Sequence, residues 1–333
     1  MRRVKKSFLI FVLLFNLVAC AQTSTLTLEA INPAPAETAT SYMAGTQTAP
    51  AISLLPTLSF STTLLPTITP LVSLTPTNTP TALALPSDFS PVLYGNKYDA
   101  DTFFILLGGV QGRNWLPADQ AAAHIIGATG YDVYTLAGET YQVYGYAPVT
   151  YPVYPGYFLS TDATLNETGM VGVVQGWQAA QRNVEELPPE NELYKQVVVD
   201  WLAQAGVVNP QLGTIQIHRV DLEGDGSDEI FISATRVESQ HTIQEGDHSI
   251  ILMRKVIGNN ALTIPILADL YTSLGYGNPF PCTYFIGNFI DLNRDGVLEV
   301  VVEYERWEGF GASVYQIDGQ NVEEALGATC ITP

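Results

Sequence analysis

The sequence predicts an α+β protein that is mainly β, with two four-stranded, blade-like meanders that follow a small α+β region and one amphipathic helix. Three observations predict this fold class. Short apolar runs rich in β-branched residues, separated by turn residues, dominate the chain after residue 89. One acidic, glycine-containing segment occurs twice, at 221–229 and at 291–299. Only residues 191–205 show a clear helical period.

The first 20 residues have the features of an export signal. Four basic residues among the first six precede an apolar run, Phe8 to Ala19, that is too short to span a bilayer. The run ends in Leu17-Val18-Ala19-Cys20, which resembles the lipobox of bacterial lipoproteins. The resemblance implies a signal peptide at 1–19 and acylation of Cys20 by palmitate or a similar chain, with anchoring on the extracytoplasmic side of the cell membrane. The alternative is an ordinary secreted protein with a chance cysteine.

The charge of the chain excludes one class of partner. The net charge is −19, and the signal contains four of the 14 basic residues but none of the 33 acidic ones, so the rest of the chain has a net charge of −23. Such a surface repels nucleic acid and anionic lipid head groups. We therefore expect no nucleic-acid partner, and bound divalent cations would offset part of the charge.

Residues 20–88 are predicted to be a disordered tether. Between Ala21 and Ser87 the segment is rich in Thr, Pro and Ser, has no Lys or Arg, and repeats Leu-Leu-Pro-Thr at 54–57 and 64–67. Nine prolines break helices and strands alike, so an extended polyproline conformation is expected.

Residues 89–189 are predicted to form the small α+β region. A short helix is expected over 117–126, with Pro117 at its first position and Gly127 after its end. The predicted strands are 102–107, 131–136, 140–146 and 170–175. Tyrosines crowd this region and could form a face for a protein or glycan ligand, although Tyr is also a common strand residue. The candidate ligand face comprises Tyr131, Tyr134, Tyr141, Tyr144 and Tyr146.

Residues 190–333 are predicted to begin with the amphipathic helix over 191–205, whose apolar face includes Val198, Trp201 and Leu202. Eight strands then follow in two sets of four: 213–220, 229–237, 249–257 and 262–271, then 283–290, 297–305, 312–317 and 321–326. The two acidic segments occupy the same place in each set, between the first and second strands. This indicates an internal repeat.

Each acidic segment has the composition of a Ca²⁺ loop. Ca²⁺ takes six to eight oxygen ligands, and alternating acidic or amide side chains around a tight turn can supply them. The glycine at position 6, Gly226 or Gly296, permits that turn. An EF-hand is excluded because its position 12 requires Glu, whereas Ile232 and Val302 stand there. The predicted ligands are Asp221, Glu223, Asp225, the Ser227 carbonyl and Glu229, then Asp291, Asn293, Asp295, the Val297 carbonyl and Glu299.

Both segments and their β flanks resemble the calcium loops of FG-GAP/VCBS-type β repeats, which occur in integrin-like propellers and bacterial surface proteins. The resemblance implies two bound Ca²⁺ ions with a structural role; the alternative is a Ca²⁺-bridged ligand. Glu223 is longer than the usual Asp or Asn, which predicts a weaker first site. Two units cannot close a propeller ring, so we expect two sheets packed together. The segments 177–182 and 303–309 also resemble uncharacterised bacterial lipoproteins, which implies no activity.

Three further residue groups are candidates for chemistry. With Cys20 assigned to lipid, Cys282 and Cys330 are predicted to form a disulfide in an oxidising compartment, the alternative being two free thiols. Glu303 and Glu305 lie two residues apart on a predicted strand, a pattern that could serve a glycan hydrolase or simply form a solvated acidic face. His241 and His248 match no zinc spacing and are predicted to lie in a polar loop.

The sequence thus predicts a lipid-anchored, calcium-braced binding or adhesion module of the cell envelope, with a protein or glycan partner and no enzymatic activity. The alternatives are a cell-envelope hydrolase that uses a carboxylate pair, or an accessory or inhibitor subunit of an envelope complex.

Overall fold

The computed structural model describes residues 85–331, except 99–100, 152–153, 166, 168, 273–279 and 308. The predicted signal peptide, Cys20 and nearly all of the predicted tether lie outside the described residues. The described part confirms the predicted fold class: it is mainly β, with antiparallel sheets that do not close into a barrel and two helices.

The region before residue 180 forms an eight-stranded antiparallel sheet with the order β5-β4-β8-β1-β2-β7-β6, in which β3 also pairs with β2. A bridge between Gly145 and Thr161 brings the end of β5 to the end of β7. The sequence located β2, β4, β5 and β8 but missed the other four strands. The elements are β1 Phe89–Tyr98, β2 Asp101–Gln111, β3 Asn114–Pro117, α1 Ala118–Ala122, β4 Thr129–Tyr134, β5 Thr140–Gly145, β6 Val149–Tyr151, β7 Tyr154–Ser160 and β8 Met170–Val174.

A five-stranded meander with the order β13-β12-β11-β10-β9 follows, covered on one face by the second helix. The helix begins after Asn191, whose side chain accepts a hydrogen bond from the Leu193 N–H and caps it, and Val198 and Leu202 pack against the sheet. The elements are β9 Glu185–Leu187, α2 Glu192–Gln204, β10 Thr214–Val220, β11 Glu229–Arg236, β12 His248–Ile257 and β13 Asn260–Leu270.

The last four strands form a second meander, in the order β14-β15-β16-β17. They are β14 Thr283–Ile290, β15 Glu299–Arg306, β16 Gly309–Asp318 and β17 Asn321–Ile331. Together with β10–β13, these strands match the two predicted sets of four.

The four-stranded sheet is the middle layer between the other two sheets. On β15, Val300 and Val302 join a core with the five-stranded sheet, whereas Val301 joins a core with the eight-stranded sheet. A strand buried on both faces needs apolar side chains in succession, which explains the run Val300-Val301-Val302. Each buried valine contributes about 1.5 kcal/mol or more, so this double-sided packing holds the hairpin ends in place.

The hydrophobic core is continuous across residue 189, where the sequence predicts a domain boundary. One cluster joins Val92, Val171 and Trp177 from the first region to Leu292 and Val314 from the last. No helix in the described part of the chain is long and apolar enough to cross a membrane.

The register of the four-stranded sheet argues against the predicted disulfide between Cys282 and Cys330. Cys282 precedes β14 and Cys330 lies on β17, and β15 and β16 separate these strands. Neighbouring strands are about 4.8 Å apart, so the two Cα atoms are separated by about 14 Å. A disulfide requires a Cα separation of about 4.4–6.8 Å. The register therefore favours the alternative of two free thiols, but the Cys330 side chain lies outside the described part of the chain, so the disulfide stays a prediction.

Candidate calcium-binding loops

The two acidic segments are the hairpin loops β10–β11 and β14–β15, hereafter the first loop (221–229) and the second loop (291–299). Gly226 and Gly296 have φ of 88° and 95°, a left-handed conformation that side chains disfavour. Position 4 is also left-handed: Gly224 occupies it in the first loop and Arg294, with φ 61°, in the second. The predicted turn at position 6 is therefore present in both loops.

The aspartate at position 1 organises each loop in the same way. Asp221 accepts hydrogen bonds from the Asp225 N–H at 3.1 Å and the Gly226 N–H at 2.9 Å, one on each carboxylate oxygen. Asp291 accepts the equivalent bonds from Asp295 at 3.2 Å and Gly296 at 3.0 Å. Backbone N–H groups thus orient this carboxylate. Asp221 Oδ1 also accepts from the Gly224 N–H at 2.6 Å, so in the first loop a lone pair is left for a cation on Oδ2, whereas both oxygens of Asp291 keep one.

The acidic residues at positions 5 and 9 complete the shared pattern. Asp225 accepts from the Ser227 N–H and Asp295 from the Val297 N–H, both at 2.8 Å. At position 9, Glu229 accepts from the Leu222 N–H at 2.9 Å and Glu299 from the Leu292 N–H at 2.7 Å. The glutamate therefore ties the end of each loop back to its beginning.

The position-9 glutamates are buried next to other carboxylates. Glu229 and Glu299 are each 2% exposed. Burial, with Asp295 and Asp291 nearby, raises the pKa of Glu299 to about 8, and burial with Asp225 and Asp221 nearby raises the pKa of Glu229. Burial acts in the same direction on Asp221, but its bonds from Gly226, Gly224 and Asp225 outweigh it and lower its pKa. A bound cation would favour the ionised form of all three groups.

A short segment before β9 holds the two loops side by side. The Arg182 guanidinium donates to the carbonyls of Asp221 at 3.1 Å and Leu222 at 2.5 Å in the first loop, and to the Gly296 carbonyl at 2.5 Å in the second. The Leu298 N–H also donates to the Leu222 carbonyl at 2.9 Å. The two loops therefore form one connected unit.

Trp177 adds a second contact from the same segment to the second loop. Its indole Nε1–H donates to the Leu292 carbonyl at 2.7 Å, and the Arg294 guanidinium lies 3.7 Å from the centre of its ring. Sequence reasoning singled out 177–182 only through a resemblance and gave it no role. Trp177 and Arg182 lie 40 to 115 residues from most of their partners, so no local pattern indicates these contacts.

An open cavity of about 410 Å³ lies beside the two loops, and five of its ten lining residues are acidic. Glu223 comes from the first loop, and Asp295 and Glu299 from the second. Asp318 and Glu323 reach it from the β16–β17 hairpin. No pattern in the sequence indicates that this hairpin meets the loops.

The donor chemistry of the loops fits Ca²⁺, although no metal cluster is already gathered among the described residues. Within that part of the chain, no group of three or more His, Cys, Asp or Glu residues is drawn together as a metal site. The predicted ligands offer only oxygen atoms, as Ca²⁺ prefers. The first loop also accommodates a cation, because the Lys255 ammonium contacts Glu223 and lies 3.6 Å from Glu229 Oε1. When bound, Ca²⁺ would neutralise the clustered carboxylates.

The predicted tyrosine face divides into buried and exposed members. Tyr131 is fully buried in the core of the eight-stranded sheet and cannot contact a ligand. Tyr144 and Tyr146 are 52% and 49% exposed, and Tyr151, which the prediction omitted, is 50% exposed. The partly buried members are Tyr134 and Tyr141.

The other candidate residues lie in different surroundings. Glu303 is 7% exposed and faces Tyr94, whereas Glu305 on the same strand is exposed. The His241 ring packs edge-on against Trp307, with ring centres 3.7 Å apart. His248 is buried, and its Nδ1 lies 3.1 Å from the Gly246 carbonyl oxygen. The two histidines therefore have separate partners.

Comparisons with known proteins do not assign a family. No protein-family model matches the chain, and no curated protein or solved structure matches it.

Proposed function

We propose that this protein is a lipid-anchored, extracytoplasmic module of the cell envelope whose β domain is braced by two Ca²⁺ ions and binds a glycan or protein partner. It is a binding or adhesion protein rather than an enzyme. The tether at 20–88 spaces the domain from the membrane.

The observation that carries the proposal is the set of backbone hydrogen bonds that the two loops share. In each loop the carboxylates at positions 1, 5 and 9 accept the same backbone N–H groups, although the flanking sequences differ. This arrangement, repeated in the two loops, orients oxygen donors in a chain that is strongly acidic. Asp221, Glu223, Asp225 and Glu229 would hold one ion, and Asp291, Asn293, Asp295 and Glu299 the other, together with the carbonyls of Ser227 and Val297.

Calorimetric titration of the full-length chain in detergent tests the ion. We expect two Ca²⁺ ions per chain and the loss of one ion in each of the variants Asp225→Asn and Asp295→Asn. Asp119→Asn is a matched control on α1, where the carboxylate is exposed. Absence of Ca²⁺ binding by the wild-type chain would refute the calcium part of the proposal.

The binding surface is proposed at the exposed tyrosines of β5, of β6 and of the connection between them. Aromatic rings with polar tips suit sugar rings and peptide segments. Co-sedimentation with purified cell-wall glycan should decrease at least tenfold in the triple variant Tyr144→Ala, Tyr146→Ala, Tyr151→Ala. Val208→Ala, which truncates a side chain that is 78% exposed elsewhere, should bind like the wild type. Equal sedimentation of all three proteins would exclude this surface.

The anchor is tested at Cys20. Metabolic labelling with a palmitate analogue should label the wild-type chain and not Cys20→Ala, and the variant should leave the membrane fraction. Labelling that persists in the variant would contradict the lipobox assignment.

The alternative of a carboxylate-pair hydrolase has less support in the structure. Glu303 is enclosed and Glu305 is exposed, and neither lines the acidic cavity beside the loops. A hydrolase needs both carboxylates to flank one bond of its substrate.

A further inference from the structure

The two loops differ in one neighbouring side chain at equivalent positions of the repeat. The register pairs Ile230 with Arg254 and Val300 with Tyr315. One residue further along, Lys255 therefore lies across from Glu229, and Gln316 lies across from Glu299. The position-9 glutamate thus faces a cation in the first loop and a neutral amide in the second.

We infer that Lys255 is an internal counter-ion that competes with Ca²⁺ for the first loop, so that the second loop binds Ca²⁺ more tightly and fills first. This inference rests on the proposed calcium function and extends it, because it assigns an order of filling and a residue that sets it.

The contacts of Lys255 show how it competes. Its ammonium group makes an ion pair with Glu223 and lies 3.6 Å from Glu229 Oε1, and its side chain is only 11% exposed. These glutamates are the candidate ligands at positions 3 and 9. A divalent ion that enters the first loop must therefore displace the ammonium group or bind against its charge, and the partly buried site screens that repulsion weakly.

The second loop contains no such cation among the described residues. There the position-3 residue is Asn293, whose amide donates to Asp295 at 3.1 Å. Glu299 accepts a hydrogen bond from Gln316, and no ion pair in the described part of the chain involves Asp291, Asp295 or Glu299. Arg294 points away onto the Trp177 ring. The negative charge of these carboxylates is therefore not neutralised by an ion pair, and a Ca²⁺ ion can bind them without displacing a side-chain cation.

A reciprocal exchange tests the inference, because each variant gives one loop the residue of the other. Calorimetric Ca²⁺ titrations would compare the full-length wild-type chain with Lys255→Gln and Gln316→Lys. We expect two wild-type affinities that differ by at least about tenfold, since 1.4 kcal/mol already produces that ratio. Lys255→Gln should strengthen the weaker site by about tenfold and leave the stronger one within twofold. Gln316→Lys should weaken the stronger site by a similar factor.

Two controls separate charge from structural damage. Lys255→Arg retains the positive charge and should titrate like the wild type. Lys195→Gln removes a lysine on α2 that pairs with Glu192 at 3.0 Å and should also leave both affinities unchanged. Circular dichroism of every variant verifies folding, and Gln316→Lys still tests the inference if Lys255→Gln does not fold.

The outcomes separate this inference from the proposed function. Two results would overturn the role of Lys255 and leave the calcium function standing. One is that the two ions bind the wild-type chain with equal affinity. The other is that the affinities of Lys255→Gln stay within twofold of the wild type or fall. A wild-type chain with one measurable site and a Lys255→Gln chain with two would support the role of Lys255. No binding by either chain would overturn both.

Discussion

The surroundings of the Glu303 carboxylate follow from the position of its strand, β15, in the middle of the three sheets. Glu303 lies on β15 among residues that face the eight-stranded sheet, and its side chain is 7% exposed. Burial raises its pKa to about 7, with Glu305 acting in the same direction and the Tyr94 hydroxyl against it. The alternation of side chains along a strand predicts that Glu303 and Glu305 share a face. The eight-stranded sheet, which packs against this face, encloses Glu303 but leaves Glu305 exposed.

This raised pKa predicts a stability that falls with pH. The folded-state pKa, about 7, exceeds the ordinary value of 4.5, so the folded chain binds this proton more tightly between those pH values. Stability from this group is therefore present below pH 4.5 and is lost as the pH rises through 7, by about 3 kcal/mol in total. Urea unfolding of Glu303→Gln should show a flatter pH profile and greater stability at pH 8. The exposed control Glu192→Gln should follow the wild type; a parallel profile for Glu303→Gln would contradict the prediction.

The cysteines give a second prediction at the residue level. Because two strands separate Cys282 from Cys330, a denatured Cys20→Ser chain should titrate two thiols without a reductant. Burial raises the pKa of the Cys282 thiol, so in the folded chain this residue should react at least tenfold more slowly than after denaturation. Cys282→Ser should remove one thiol from the count. A count of zero thiols before reduction would establish the disulfide instead.

The strands and helices show which parts of the fold a sequence reveals. Strands β10–β17 are apolar runs bounded by turn residues, and their limits were predicted within a few residues. Strand β1 was missed because Pro91 and Gly95 interrupt it; it is nevertheless paired on both edges, with a register shift at Val92 that accommodates the irregularity. The two acidic hairpin loops were predicted from the spacing of their residues, and calcium binding there stays a proposal. The segment 177–182 that joins them was not, because its partners are distant in the sequence.

Arg182 should therefore control the stability of the loop pair. Its guanidinium makes three bonds to loop carbonyls, and hydrogen bonds from charged groups contribute roughly 1.5–3 kcal/mol each, with less than additive sums. Arg182→Gln should lower the free energy of unfolding in urea by about 3 kcal/mol, and Arg182→Lys by less. Arg113→Gln, in an exposed turn, is the control and should change stability by under 0.5 kcal/mol. An Arg182→Gln chain as stable as this control would show that the contacts are not needed.

At the level of the whole molecule, the two loops place a concentration of carboxylates next to the packed sheets. They lie at one end of the interface between the two meanders, and the cores on both sides of the middle sheet fix the strands from which they extend. The hairpin β16–β17 brings Asp318 and Glu323 to the same end. Carboxylates from three hairpins are therefore concentrated there, and their mutual repulsion, which Lys255 offsets in part, opposes the packing of the sheets.

If two Ca²⁺ ions stabilise the loops as proposed, the thermal stability of the whole domain depends on Ca²⁺. An ion at 100 times its dissociation constant stabilises the folded state by about 2.7 kcal/mol per site, so two sites should raise the melting temperature by roughly 10 °C or more. Differential scanning calorimetry of the full-length chain in excess Ca²⁺ and in chelator should show this difference. The double variant Asp225→Asn, Asp295→Asn should melt at the same temperature in both conditions, which controls for chelator effects unrelated to the loops. An identical melting temperature for the wild-type chain with and without Ca²⁺ would show that the packed layers alone hold the domain together.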